Sequence, residues 1–532
     1  MVNRSALVLG ALIVVSAACK LWMTAGVELG KDEAAYWYWS LHWDLTYAPL
    51  PFALLRLAHT LAPGMEWPLR ACQIGAGMIA VVLMFHWCRS SKLSEAHSLW
   101  ASAAFATSHW IWHSSSYLHP DGYLVPSWLL VLVLARRTAE RDWRPGLCMG
   151  VGVAASATLY CKYSGVLLSA SLFVWMWIAA PTALRKRALA YGFSAFAVCA
   201  SPLVLSHWVD GFHLPRALSS LSRIAAETSV VTRGGLFAAA PLLFVSPPLL
   251  WLLYRAFAST IADAGRTLAR TAPLARPDWM RAHGQLLVAL LPACVVVLCF
   301  GFFALYRGQV KGNWILPGFL ALWPYAFSPG TVRSATRSHS TRFLMLVIVV
   351  GLMQTTAVGL ALKYPGAPDH LVRVLGGQEL INESYPRLVS PTDRTREPTR
   401  SWGERLCEYA GWRAFTNDLE KTMTRAGVPL SVALVSTQYN LPFTTAYYAS
   451  TEAQRAVYTV ADPRFMRLAD LSTAQPRPDT LLFVARSGSP FPPDLADFAT
   501  SHQLPPVRRS ASGCAAVGYD VSLLIRDGAG DR

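Results

Sequence analysis

Residues 6–47 read ALVLGALIVVSAACKLWMTAGVELGKDEAAYWYWSLHWDLTY. The first half is apolar over more than the roughly 17–25 residues a bilayer-spanning helix needs. Ser16-Ala17-Ala18-Cys19 loosely resembles a lipoprotein cleavage site, but the apolar run continues past Lys20 through Leu21-Trp22-Met23, so it is read as an uncleaved anchor. The second half, from Glu28 to Pro68, is too polar to span and too aromatic for a linker. A helix starting near Asp32 is expected to lie in the membrane plane with its rings at headgroup level. Asp32 would then sit at the positive helix N-terminus, an ordinary place for a structural carboxylate.

The rest of the chain extends this pattern. Eleven runs are candidate spans: 6–27, 69–88, 94–112, 120–135, 145–161, 163–180, 190–208, 235–256, 284–305, 314–329 and 343–363. Pro202, Pro241, Pro247, Pro248 and the small residues around Gly146 and Gly150 are read as helix-packing devices. Only 15% of the 532 residues are charged and 53% are hydrophobic, against roughly 25% charged in soluble chains. This excludes a cytosolic enzyme, a disordered tail and a fibrous repeat. The net charge of +16 needs no nucleic acid, because membrane proteins concentrate Lys and Arg in cytoplasmic loops.

Loop charges set an expected orientation. With the N-terminus inside, the inner loops hold Arg89, Lys92, Arg136, Arg137, Arg185, Lys186, Arg187 and Arg255 among others, and they outnumber the cations of the outer loops by more than two to one. Residues 364–532 then fall outside. There polar residues return, and short β-like runs at 430–437, 480–486 and 521–527 accompany a helical stretch near 412–426. A small extracytoplasmic α/β domain is expected. Cys407 and Cys514, the two cysteines outside the apolar runs, can pair if that compartment is oxidising. Asn382-Glu383-Ser384 matches a glycosylation sequon without carrying an argument.

Chemistry-bearing residues gather at the outer ends of the spans. His119-Pro120-Asp121-Gly122 opens the run at 120–135, Lys162-Tyr163 turns between two helices with almost no loop, and Arg307 through Lys311 to Trp314 joins two late runs. Each has an ordinary role available: a helix-terminal charge for Asp121, a snorkelling anchor for Lys162. Together they put carboxylates and cations on one face. His109 and His113, four residues apart near His119 and Asp121, suit a zinc set less well than an interfacial belt with Trp110 and Trp112. No P-loop, Rossmann fingerprint, CxxC pair or DxD motif occurs.

Asp32-Glu33-Ala34-Ala35-Tyr36-Trp37-Tyr38-Trp39-Ser40 resembles the D-E-A-Y-Y-W-x-W-S opening of bacterial polyprenyl-phosphate-dependent glycosyltransferases of the GT-C fold, relatives of the lipid A aminoarabinose transferases and protein O-mannosyltransferases. The likeness continues through His119-Pro120-Asp121, Lys162-Tyr163, Val310–Trp314, Ala410-Gly411-Trp412 and Thr445–Tyr448. It departs where the family carries G-Y-Y-D-H-P-P: here Thr46-Tyr47-Ala48-Pro49-Leu50-Pro51-Phe52 lacks the acidic and basic residues. The resemblance implies an envelope enzyme of the bacterial inner membrane, with an outside tail. It would move a sugar from a polyprenyl-phosphate donor to a hydroxyl of lipid A, another glycan or a protein. It assigns Asp32 as general base, Asp121 and Glu33 as further catalytic carboxylates, and Lys162, Arg307 and Lys311 as donor-phosphate contacts. No cofactor is expected, and a divalent metal has no motif to support it. A transporter or flippase of lipid-linked sugars is the rival, but its mid-membrane charges and inverted repeats are not evident; a third reading, kept open by the altered Thr46–Phe52 motif, is a non-catalytic relative that binds lipid-linked glycan.

Overall fold

The structure, a computed structural model, describes residues 4–42, 48–209, 230–270, 284–307, 313–336 and 340–367, and in the tail 407, 409–438, 440–450, 456–459, 478–489, 491–492, 495–512, 514 and 516–526. Thr46-Tyr47, Lys311 and Asn382–Ser384 lie outside these residues. The chain is a multi-pass helical membrane protein with a small sheet near its C-terminus.

Ten helices build the part that carries the site: α1 (Arg4–Thr24), α2 (Lys31–His42), α3 (Pro49–Leu61), α4 (Glu66–Ser90), α5 (Glu95–Thr107), α6 (His109–Ser116), α7 (Asp121–Glu140), α8 (Pro145–Cys161), α9 (Gly165–Ala179) and α10 (Thr182–Val209). Helix α4 packs on α7, α7 on α8, and α8 on α10. The α8–α10 contact is close because Gly152 faces the backbone of Gly192, where any side chain would collide.

The expected runs form helices of several lengths among the described residues. Five described helices are long and apolar enough to cross a membrane: Arg4–Thr24, Glu66–Ser90, Thr182–Val209, Leu286–Leu305 and Thr341–Lys363. A sixth arises if α6 and α7, bent by 116°, count as one broken span. The run at 94–112 divides at Ser108 into α5 and α6. The run at 235–256 breaks into a helix at Val230–Ala239, a tight turn at Ala240–Leu243 and a helix at Pro247–Arg270. The two breaks answer each other, since the Trp110 amide donates to the Phe244 carbonyl at 2.6 Å. Irregular backbone at membrane depth is tolerated where protein supplies such partners. The run at 314–329 folds as short turns whose residues from Leu316 to Trp323 are all buried, so its apolarity reflects enclosure.

In the tail, β1 (Ala433–Ser436), β2 (Val457–Thr459), β3 (Thr480–Arg486), β4 (Phe498–Arg509) and β5 (Val517–Arg526) form one sheet in the order β2-β1-β3-β5-β4. β1 is parallel to β2 and β3, and β5 is antiparallel to β3 and β4. Helices Trp412–Arg425 and Asn440–Tyr448 pack beside it. Cys407 and Cys514 form a disulfide, tying the start of this unit to the connection before β5.

The aromatic segment does not lie against headgroups. Trp37, Tyr38 and Trp39 are buried beneath the tail: Trp37 meets Tyr447 edge-on at 4.9 Å, and Phe443 lies 5.1 Å from Tyr38 and 6.2 Å from Trp39. Rings grouped on one short helix suit a protein partner as well as a lipid interface, and here the tail occupies them.

Candidate active site

Helix α2 begins with a capping arrangement. Gly30 stands at the N-cap, and the Glu33 carboxylate, three residues on, accepts the Gly30 amide at 3.0 Å. Asp32 is exposed on the same first turn, whereas Glu33 is turned inward and 1% exposed. Glu33 is held by protein donors. Its Oε1 accepts from Arg70 Nε at 3.0 Å and the Leu118 amide at 2.9 Å; its Oε2 accepts from Arg70 Nη2 at 2.7 Å and the Gly30 amide. The neighbours in the motif thus divide, one facing out and one fixed within. Glu33, expected as a catalytic carboxylate, has its acceptor positions occupied by Arg70, Gly30 and Leu118.

Asp121 opens α7 directly after the sharp bend. Its carboxylate is wholly buried, with Lys162 Nζ at 2.6 Å from Oδ1, and Asn313 Nδ2 at 3.1 Å and Trp110 Nε1 at 3.4 Å donating to Oδ2. His119 Nδ1 accepts the Asp121 amide at 3.1 Å. The same nitrogen lies 3.5 Å from Oδ2. A buried carboxylate demands such partners, because desolvation opposes its charge. Lys162 reaches it because the three-residue link between α8 and α9 holds the lysine at the helix end. Its side chain stays 23% exposed while its ammonium meets the buried carboxylate. It is an internal ion-pair partner, not a headgroup anchor.

Asp121, Lys162 and Asn313 are brought together, and Glu33 is linked to the same bend through Leu118. The side chain of Arg307, at the end of the helix Gly284–Arg307, and all of Lys311 lie outside what is described. His109 and Trp110 through Trp112 are buried within the protein, which overturns the interfacial-belt reading. His109, His113 and His119 follow one another with tilted rings whose centres are 5.7 and 6.3 Å apart; among the described residues no group of three or more His, Cys, Asp or Glu has a metal-holding arrangement.

An apolar groove of about 630 Å³ opens between α3, α8 and α10, lined by Pro49, Leu50, Val153, Tyr160, Pro202 and Leu203 among others. Pro49 and Leu50 belong to the departed second motif, where Pro49 starts α3. The changed residues have become part of a hydrophobic wall. Tyr160, on the opposite wall, lies two residues before Lys162.

Several participants were not foreseen. Arg70 lies one turn into an apolar helix and is 1% exposed; an arginine so placed signals a buried carboxylate partner. Glu28 accepts the Trp412 and Arg413 amides at 2.6 and 3.2 Å, at the N-terminus of the tail helix. Burial pushes its carboxyl above the ordinary value, although both amides favour the anion. Glu66 completes the junction, accepting from Arg413 at 2.6 Å and the Tyr448 hydroxyl at 3.1 Å. Acidic residues beside a helix start carry no sequence mark of a distant partner.

The model of the dolichyl-phosphate-mannose-protein mannosyltransferase family matches residues 46–206, a stretch that includes Asp121 and Lys162 and excludes Asp32. No curated protein matches the chain. Among solved structures, ArnT from Cupriavidus metallidurans bound to undecaprenyl phosphate is similar at 15% identity, covering 98% of each chain with a TM-score of 0.53. The same protein in the apo state gives 15% identity, 96% of this chain, 97% of that one and 0.52. The oligosaccharyltransferase of Archaeoglobus fulgidus, tethered to an acceptor peptide, gives 12%, 88%, 64% and 0.44. The chain has the GT-C fold that the ArnT structure shares over 98% of its length.

Proposed function

We propose that this protein is a membrane glycosyltransferase that moves a sugar from a polyprenyl-phosphate donor to an acceptor hydroxyl, on the membrane face carrying Asp32, Asp121 and Lys162. The observation that carries the reading is the ion pair of buried Asp121 with Lys162, whose side chain is partly exposed and which stands two residues from Tyr160 in the wall of the apolar groove. A lipid phosphate needs this combination: an apolar channel for the chain and a cation for the headgroup. The similar ArnT structure that holds undecaprenyl phosphate supports the same ligand class here.

In this mechanism Asp32 takes the proton from the acceptor hydroxyl as the oxygen attacks the anomeric carbon. The new oxygen–carbon bond forms as the bond to the phosphate oxygen breaks, and the phosphate leaves with the electron pair. Lys162 stabilises the charge that develops on it, with Arg307 and Lys311 as further cationic contacts. Asp121 holds Lys162 in place and has no need to touch the sugar. The basic helix ends, including Arg89, Arg137 and Arg185, lie at the opposite ends of the helices, which supports an extracytoplasmic site; the disulfide supports the same orientation. The protein would therefore reside in the bacterial inner membrane with its tail in the periplasm, taking a glycolipid, glycan or protein as acceptor.

The test pairs binding with transfer. Purified protein should bind undecaprenyl phosphate, and mass spectrometry of envelope glycolipids and proteins from a deletion strain should show a missing sugar that the intact gene restores. An unchanged glycan profile together with no undecaprenyl phosphate binding would end the reading.

A further inference from the structure

The ion pair between Arg70 and Glu33 is saturated on both sides. All five guanidinium N–H groups have acceptors: Nε and one Nη2 hydrogen go to Glu33, the other Nη2 hydrogen goes to the Glu28 carbonyl at 2.9 Å, and Nη1 serves the Thr24 and Val27 carbonyls at 3.1 and 2.6 Å. The Glu33 carboxylate accepts four N–H bonds, two from Arg70 and one each from Gly30 and Leu118. The Tyr117 ring lies against the guanidinium, 5.2 Å from its carbon to the ring centre.

This network joins four chain segments: the end of α1, the cap of α2, α4, and the bend between α6 and α7. One residue from Glu33 is Asp32; three residues from Leu118 is Asp121. The carboxylate at each end of the proposed site is therefore attached to the same pair of charges by a few covalent bonds. An arginine–glutamate pair is directional in a way apolar packing is not, because its fork and carboxylate meet in one plane. Replacing a buried ion pair with hydrophobic residues is often neutral for stability, so stability alone does not explain why a chain keeps one here.

We infer that Arg70 and Glu33 are positioning residues: together they set where Asp32 stands relative to Asp121 by clamping the α2 cap and the α6–α7 bend to one guanidinium. The inference rests on the transferase reading for its consequence, but its geometric part stands apart from it.

The test compares wild type, Glu33→Gln, Arg70→Lys and the double variant Glu33→Leu/Arg70→Leu, all as full-length protein in lipid nanodiscs. Hydrogen exchange of the 116–121 segment reports the clamp, binding of undecaprenyl phosphate reports the donor site, and sugar restored in the deletion strain reports transfer. In Arg70→Lys, which keeps the charge but loses the fork, exchange at 116–121 should rise at least tenfold. Transfer should fall at least thirtyfold while undecaprenyl phosphate affinity stays within threefold. The double leucine variant should remain folded and be equally poor in transfer, which a purely structural role does not produce. If Glu33→Gln fails to accumulate, Arg70→Lys decides. Transfer within threefold of wild type in Arg70→Lys would overturn the inference, as would lost transfer with unchanged exchange at 116–121. A wild-type protein without donor binding or transfer would instead overturn the function reading, and the exchange measurement would still decide whether the pair fixes the bend.

Discussion

Lys162 Nζ lies 2.6 Å from Asp121 Oδ1, with the carboxylate side chain fully buried and the lysine partly exposed. Removing the cation leaves a buried anion with only neutral donors. Lys162→Met should therefore cost about 3–5 kcal/mol of stability, read as a lowered unfolding temperature in detergent. Lys162→Met/Asp121→Asn should recover much of that loss, because the uncompensated charge disappears, while glycan transfer stays absent in both. A double variant no more stable than the single would show that the pair is not energetically coupled.

Asp32 is exposed on the first turn of α2, and its amide replacement keeps the shape of the side chain. Asp32→Asn should change stability by less than about 0.5 kcal/mol and reduce transfer by roughly 10²–10⁴-fold, as loss of a general base does. The comparison of melting temperature with restored glycan in the deletion strain checks both halves.

Cys407 and Cys514 are 107 residues apart in sequence, and a bond closing so long a loop restrains the unfolded tail. Cys407→Ser/Cys514→Ser should destabilise the tail by about 2–5 kcal/mol, seen as faster trypsin cleavage between β2 and β5. In wild-type cells, maleimide should modify these two thiols only after reduction.

Glu28 sets a pH dependence for tail docking. Its folded-state pKa is raised by burial, so above the ordinary carboxylate value the folded protein holds more protons than the unfolded chain. Stability from this group is therefore greatest at low pH and declines as pH rises through the folded pKa, then levels off. Glu28→Gln should flatten that slope in unfolding curves recorded upward from pH 4.5, with fluorescence of the neighbouring Trp412 as the probe.

The sequence made much of this legible, and the failures have identifiable causes. Asp121 and Lys162 stood out because a carboxylate opening one apolar run and a lysine ending another must share a face when the helices alternate. Arg70 was lost inside the run beginning at Leu69, since a window of apolar residues absorbs a single charge without changing its average. The rings of α2 were assigned to lipid because an interface with headgroups and one with Phe443 and Tyr447 ask for the same side chains. The broken run near 240 carried its signal openly in Pro241, Pro247 and Pro248, yet only the tertiary bond from Trp110 to Phe244 explains how the break is tolerated. In the tail, Trp412–Arg425, β3 and β5 follow the expected runs, while β4 hid because only every few residues face inward along it.

The tail's grip on Glu28 and on the aromatic face of α2 bears on how this protein can be recombined. A chimera that exchanges only the tail with that of a distant homologue would strand Trp37, Tyr38 and Trp39 without their counterparts and leave Glu28 without its two amides. The natural crossover unit is therefore discontinuous, pairing residues 28–66 with the tail from Cys407 onward, and hybrids cut at that seam are the ones to build.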